Sequence, residues 1–139
     1  MDGKHSNVRQ LRERGGETEK VTINLGYVDL GRIDLLVQEG FYSNRTDLIR
    51  TAIRNQLAGH AETVSRSAAR QTLEFGLRDY ARADLEAVRA RGEVLHVAVI
   101  GLVRIAADVD ADLARATIAS IHVLGALQAS AGVKTALAD

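Results

Sequence analysis

The sequence predicts an α+β chain in two parts, a short strand–helix–helix unit followed by a small repeat domain. Two observations carry this prediction. Apolar residues alternate over residues 20–25 and then recur at spacings of three and four up to about residue 58. From about residue 71 onward, a pattern of apolar residues and glycines repeats, with glycines at positions 76, 101 and 125.

Composition restricts the binding chemistry of the chain. Its 139 residues hold 18 basic and 18 acidic side chains, so the formal net charge is zero. A nonspecific nucleic-acid coat is strongly basic, and any nucleic-acid contact must therefore come from a local patch of charge. Cysteine and tryptophan are absent and aromatic residues make up 4%. This composition argues against disulfides, thiolate metal sites and an aromatic platform for single strands.

The N-terminal residues 1–19 are polar and show no periodicity. We expect a flexible arm, and the sharper alternative is that Arg9, Arg12 and Arg14 contact phosphates near the following strand. The sequence shows no signal-peptide pattern and no apolar run of membrane-spanning length, so we expect a cytoplasmic, nucleoid-associated protein.

The next segment, residues 20–25, has the period of a half-buried strand, with Val21, Ile23 and Leu25 apolar and polar residues between them. Gly26 then serves as the N-cap of a helix predicted over residues 27–39. Gly40 suits the left-handed residue that ends this helix.

A second helix is predicted over residues 44–58. Ser43 is its expected N-cap, and its apolar positions lie on one face. Residues 59–70 are small and polar, which indicates a linker between residues 20–58 and the repeat domain of residues 71–139, or a ragged extension of the second helix.

One strand and two short helices cannot close a core, because the strand edges stay unpaired and its apolar face stays uncovered. The simplest remedy is a two-fold dimer whose strands pair antiparallel.

The segment from Lys20 to about Leu57 resembles the ribbon-helix-helix family of bacterial regulators (CopG, MetJ and Arc type). It reads KVTINLGYVDLGRIDLLVQEGFYSNRTDLIRTAIRNQL, and its most specific part is GFYSNRTDLIRTAI. The resemblance implies a homodimer that reads duplex DNA with an intersubunit β-ribbon.

It also implies site residues. Lys20, Thr22 and Asn24 would enter the major groove. There lysine can donate to guanine, asparagine can pair bidentately with adenine, and threonine offers a hydroxyl and a methyl group. The start of the second helix would hold a DNA phosphate. The residues expected there are Ser43, Asn44 and Arg45.

The second half repeats itself, since residues 97–113 align with residues 121–137 and a degenerate copy begins near Leu73. The pattern favours a short parallel β-solenoid, with an αβ repeat as the alternative. Its expected oligomerisation core is Val97, Val99, Ile121 and Val123. The string IHVLGAL, residues 121–127, resembles a rung of bactofilins or of the MinC C-terminal domain.

No metal, cofactor or catalytic group is expected. The four histidines His5, His60, His96 and His122 lack ligand-like spacing, and the acidic run at residues 108–112 lacks the glycine and glutamate of a calcium loop.

The sequence therefore indicates a non-enzymatic, sequence-specific transcriptional repressor whose C-terminal repeats join dimers. Its expected partners are double-stranded DNA and further copies of itself, without a membrane. The main alternative is a centromere-binding or nucleoid-organising protein that polymerises through the C-terminal domain. A third is an antitoxin, which the apolar, self-similar tail disfavours.

Overall fold

A computed structural model of the chain describes residues 17–138. The expected arm contacts Arg9, Arg12 and Arg14 lie outside these residues. The described chain forms two compact units, one of residues 18–67 and one of residues 68–138 together with Glu17.

The first unit contains the two predicted helices. Helix α1 is Tyr27–Gln38, and Gly26 is its N-cap with an extended backbone. Gly40 follows it with φ of 87°, the left-handed conformation predicted for this glycine. Helix α2 is Arg45–Gly59.

The stretch predicted as a linker is mostly helical. Helix α3 is Ala61–Arg70, and the boundary between the two units falls within its sequence, between Ser67 and Ala68. Its small and charged residues are good helix formers, because alanine, glutamate and arginine lose little side-chain freedom in a helix.

The first unit buries none of its residues 18–67. Apolar side chains that a closed core would cover remain largely exposed, with Val21 at 77%, Ile23 at 60% and Ile53 at 53%. Residues 19–26 form neither helix nor strand. One copy of this unit therefore lacks the core that its apolar pattern requires.

The second unit alternates strands and helices. Its order is β1 (Glu74–Tyr80), α4 (Arg82–Ala90), β2 (Leu95–Ile105), α5 (Ala111–Thr117), β3 (Ile118–Gln128) and α6 (Ala131–Leu137). The strands form one parallel sheet in the order β1-β2-β3.

The strand register follows the sequence repeat. Val97 lies opposite Ile121 and Val99 opposite Val123, which are the pairs that the repeat aligns. Equivalent positions of the repeat therefore stack as neighbours in the sheet.

Three glycines form a row across the strands, with Gly101 between Gly76 and Gly125. All three have positive φ, between 123° and 144°. A Cβ on Gly101 would lie 2.0 Å from the Gly76 carbonyl oxygen, and a Cβ on Gly125 would lie 2.1 Å from that of Gly101. Only glycine fits this row, which explains why the repeat carries it.

The core lies between the sheet and the helices. On β2, Val97, Val99 and Val103 point toward it and are at most 4% exposed. They pack with Leu85 of α4 and Leu113 of α5, which are 0% and 1% exposed. Burying each such side chain contributes about 1.5–3 kcal/mol, so this core is the main source of the unit's stability.

The oligomerisation core proposed from the sequence lies inside this unit. Val97 and Val99 are buried in its hydrophobic cluster, and Ile121 and Val123 are partly buried and pack against it. These four residues therefore contribute to the core of one copy of the unit.

Each repeat contains a helix, so the second unit is the αβ repeat that the sequence kept as its alternative, and the favoured β-solenoid is not what the structure has. Side-chain caps assist the two short helices: Asp110 Oδ1 accepts from the Leu113 amide at 2.7 Å, and Ser130 Oγ accepts from the Val133 amide at 3.2 Å. The resemblance of residues 121–127 to a solenoid rung is likewise not supported.

In the described residues, no helix combines the length and the apolar character needed to cross a bilayer.

Candidate nucleic-acid interface

The candidate base-reading residues follow one another at every second position just before α1. Lys20, Thr22 and Asn24 are all exposed. The intervening Val21, Ile23 and Leu25 are also exposed, at 77%, 60% and 37%. In an extended strand these two sets would lie on opposite sides, one polar and one apolar. Within one chain, neither side is covered.

The start of α2 differs by one residue from the prediction. Asn44 is the N-cap, and its side chain accepts a hydrogen bond from the Asp47 amide at 2.8 Å. Ser43 instead donates its backbone amide to Asp47 Oδ2 at 2.9 Å. Ser43 as N-cap is therefore wrong, because the backbone enters the helix one residue later.

Asp47 is a feature that the sequence interpretation missed. Its carboxylate lies in the first turn of α2, where a negative charge stabilises the helix dipole. The same charge opposes an anion at this end of the helix. A phosphate held here would need a cation close by to offset Asp47.

Arg45 is that nearby cation, and its side chain is already held by an ion pair with Asp34. Its Nε donates to Asp34 Oδ1 and its Nη2 to Asp34 Oδ2, both at 2.8 Å. The hydrogen bonds from Arg45 lower the pKa of the exposed Asp34 carboxyl below its usual 3.8. This bidentate pair ties α1 to the start of α2. A guanidinium has five N–H donors, so the brace leaves others for a further acceptor.

Two more cations stand on α2. Arg50 and Arg54 are exposed and four residues apart, which places them on the same side of the helix. Within the described part of the chain, neither makes a salt bridge, whereas Arg32 and Arg66 pair with acidic neighbours on their own helices. The spacing of Arg50 and Arg54 on the predicted helix was the signal that could have identified them.

Together, the first unit presents Lys20 before α1 and Arg50 and Arg54 on α2 as cations without a salt bridge among the described residues. Arg50 and Arg54, four residues apart on one helix, concentrate positive charge locally in a chain of zero net charge. Lysine and arginine side chains of this kind bind phosphates and the edges of guanine.

Comparison with known families identifies one match. The Ribbon-Helix-Helix transcriptional regulator family matches residues 16–134, which cover all of the first unit and most of the second. No curated protein and no solved structure matches the chain.

Proposed function

The chain belongs to the ribbon-helix-helix transcriptional regulator family, and from this premise we propose that it is a homodimeric, sequence-specific repressor that reads duplex DNA with an intersubunit β-ribbon. The proposal includes no catalytic step and no cofactor. It places the protein in the cytoplasm, on the nucleoid.

The observation that carries this proposal is the incomplete first unit. Residues 18–67 contain no buried side chain, and Ile23 is 60% exposed just before a two-helix unit. A second copy supplies both missing parts at once. The two segments of residues 20–25 pair antiparallel and satisfy each other's backbone groups, and their apolar sides cover the helices of both copies.

Such a ribbon presents Lys20, Thr22 and Asn24 on its outer side. Lysine donates to guanine O6 and N7, asparagine pairs bidentately with adenine, and threonine offers a hydroxyl and a methyl group. Two copies related by a two-fold axis read two half-sites, so the preferred DNA site is a pseudo-palindrome.

Phosphate contacts position the ribbon. We assign them to the start of α2, where the Ser43 hydroxyl, the Asn44 backbone amide and the remaining donors of Arg45 meet a phosphate, and to Arg50 and Arg54. Arg9, Arg12 and Arg14 of the N-terminal arm would add contacts beside the ribbon. These contacts raise affinity without reading sequence.

The C-terminal unit joins dimers in this proposal. Two self-association contacts per dimer let one assembly bind several DNA sites, which raises its effective affinity without new base contacts. The alternative is a structural role, in which the same unit polymerises on a centromere or across the nucleoid. Light scattering over a concentration series separates them, since a repressor reaches a fixed small mass and a polymer grows without limit.

Selection from a pool of random DNA duplexes tests the DNA-binding proposal. We expect wild-type protein to enrich a two-fold symmetric site. The Ile23→Asp variant should enrich none, because a charge on the apolar side of the ribbon is buried when two copies pair.

Val94→Asp is the matched control, because Val94 is 52% exposed in the second unit. It should select the wild-type site. Wild-type protein that enriches no sequence, or an Ile23→Asp variant that selects as wild type does, would contradict the proposal.

A further inference from the structure

Within residues 68–138, the helices between and after the strands pack against one face of the parallel sheet. Helices α4, α5 and α6 pack against the side that carries Val97 and Val99. The other side, which we call the open face, carries the alternate residues of each strand. Its apolar centre consists of Phe75, Leu77, Ile100, Leu102, Leu124 and Ala126.

These residues form two rows across the sheet. Phe75, Ile100 and Leu124 are register partners, and the next row along the strands is equally apolar. The outer strands carry the exposed side chains, with Phe75 at 55%, Leu124 at 48% and Leu77 at 38%, whereas Leu102 on the central strand is only 7% exposed. Parallel sheets occur almost only with both faces covered, so an apolar open face on such a sheet indicates a missing layer.

Polar side chains border this apolar centre at both ends. At the carboxyl ends of the strands, Arg104 Nη1 lies 3.8 Å from Asp79 Oδ1, and Arg104 Nη2 lies 3.5 Å from Glu17 Oε1. At the other end, the His96 ring and the Ser120 hydroxyl share a hydrogen bond of 2.9 Å. An apolar centre with a polar rim is the anatomy of a protein–protein interface.

We infer that the open face packs against the open face of a second copy of this chain. The inference rests on the proposed function in one respect, because the ribbon dimer is what brings a second copy close. The N-terminal segment of the same chain is a poor cover, since residues 1–16 hold only Met1, Val8 and Leu11 as large apolar residues. A second open face supplies matching apolar rows, and its mixed rim charges suit a two-fold contact.

The size of the face explains why the ribbon is needed. β1 is 7 residues long. Three strands spaced about 4.8 Å apart, with a rise of about 3.3 Å per residue, give an open face of roughly 330 Å² per copy. Stable independent interfaces bury about 1,200 Å² or more in total, so this contact is too small to hold two free chains together. Ribbon dimers, which present two such faces each, raise the effective concentration enough for the contact to form.

The sequence has no cysteine, so a single introduced cysteine is the only thiol that a cross-linker can modify. Full-length Ile100→Cys protein, without DNA, is treated with a short bis-maleimide. Facing sheets lie about 10 Å apart, so two cysteines at the centre of paired open faces come within reach. The matched control is Ala87→Cys, since Ala87 is exposed on α4 on the other side of the sheet. We expect roughly tenfold more covalent dimer from Ile100→Cys than from Ala87→Cys, a difference of about 1.4 kcal/mol in effective pairing.

A second variant separates pairing from folding. Phe75→Glu, added to Ile100→Cys, should reduce the covalent dimer to the control level with an unchanged circular dichroism spectrum, because Phe75 is exposed in one copy. Val94→Glu in the same background should leave the yield unchanged, although Val94 is exposed to a similar extent at 52%.

Equal yields from Ile100→Cys and Ala87→Cys would overturn the inference, and so would a yield that Phe75→Glu does not lower. A protein that selects a DNA site but does not cross-link at residue 100 keeps the proposed function and loses this inference. A protein that cross-links at residue 100 but selects no DNA site keeps this inference and loses the proposed function.

Discussion

Arg45 holds Asp34 through two parallel hydrogen bonds of 2.8 Å, across eleven positions of the chain. The pair joins the middle of α1 to the first residue of α2. Both side chains are about half exposed, at 54% and 53%. The brace therefore sets the direction of Arg45 more than it stabilises the fold, because exposed ion pairs contribute little to stability.

This relationship predicts different consequences for the two partners in DNA binding. Arg45→Ala removes a cation, so it should weaken binding to preferred and scrambled duplexes alike and make the logarithmic salt slope shallower by about one unit. Asp34→Asn removes the ion pair with Arg45 but keeps the cation. It should therefore weaken binding to both duplexes and leave the logarithmic salt slope unchanged. Equilibrium binding over a salt series measures both. Tighter binding by Asp34→Asn would mean instead that Asp34 competes with the phosphate.

The same pair predicts the titration of Asp34. The pKa of this carboxyl is lowered in the folded protein from its ordinary 3.8, mainly by its hydrogen bonds with Arg45. The contribution of the pair to stability is therefore complete above pH 3.8 and is lost as the pH falls through the lower folded-state pKa. NMR titration of the Asp34 carboxyl should give a midpoint below 3.8 in wild-type protein and a higher midpoint in Arg45→Ala. Equal midpoints would show that the pair does not persist in solution.

The glycine row predicts a sharp contrast between two alanine substitutions. Gly101→Ala places a Cβ 2.0 Å from the Gly76 carbonyl oxygen at a φ of 144°. It should destabilise the second unit by about 2–4 kcal/mol. Gly132→Ala, on α6 with nothing within 4 Å of its new Cβ, should be neutral or stabilising by up to about 1 kcal/mol. Denaturant unfolding of the full chain measures both changes in the free energy of unfolding, and similar values for the two would refute this explanation of the row.

The sequence predicts the strand register of the second unit well, because parallel neighbours in a repeat place equivalent positions side by side. The pairing of Gly101 with Gly125 is readable directly from the repeat. The helices α5 and α6 were harder to predict. Each has 7 residues. Isolated helices of this length are unstable, and the packing of Leu113 and Val133 against the sheet stabilises them.

The candidate site likewise combines features that the sequence reveals with features that depend on the folded structure. Exposed, alternating side chains at Lys20, Thr22 and Asn24 are visible in the sequence. The brace between Asp34 and Arg45 is not, because it depends on how the chain turns between two helices. The choice between Ser43 and Asn44 as N-cap depends on a backbone conformation, since both residue types cap well.

The central claim is that the ribbon carries sequence specificity, and competition binding of ribbon variants tests it most directly. Lys20→Ala and Asn24→Ala are compared with wild-type protein on the selected site and on a scrambled duplex. Arg66→Ala is the control, because Arg66 is exposed on α3 and pairs with Glu62. We predict that each ribbon variant loses about 1–3 kcal/mol of preference for the selected site, while Arg66→Ala keeps the wild-type ratio. If both ribbon variants keep the wild-type ratio, the ribbon does not read the DNA bases and the account is wrong.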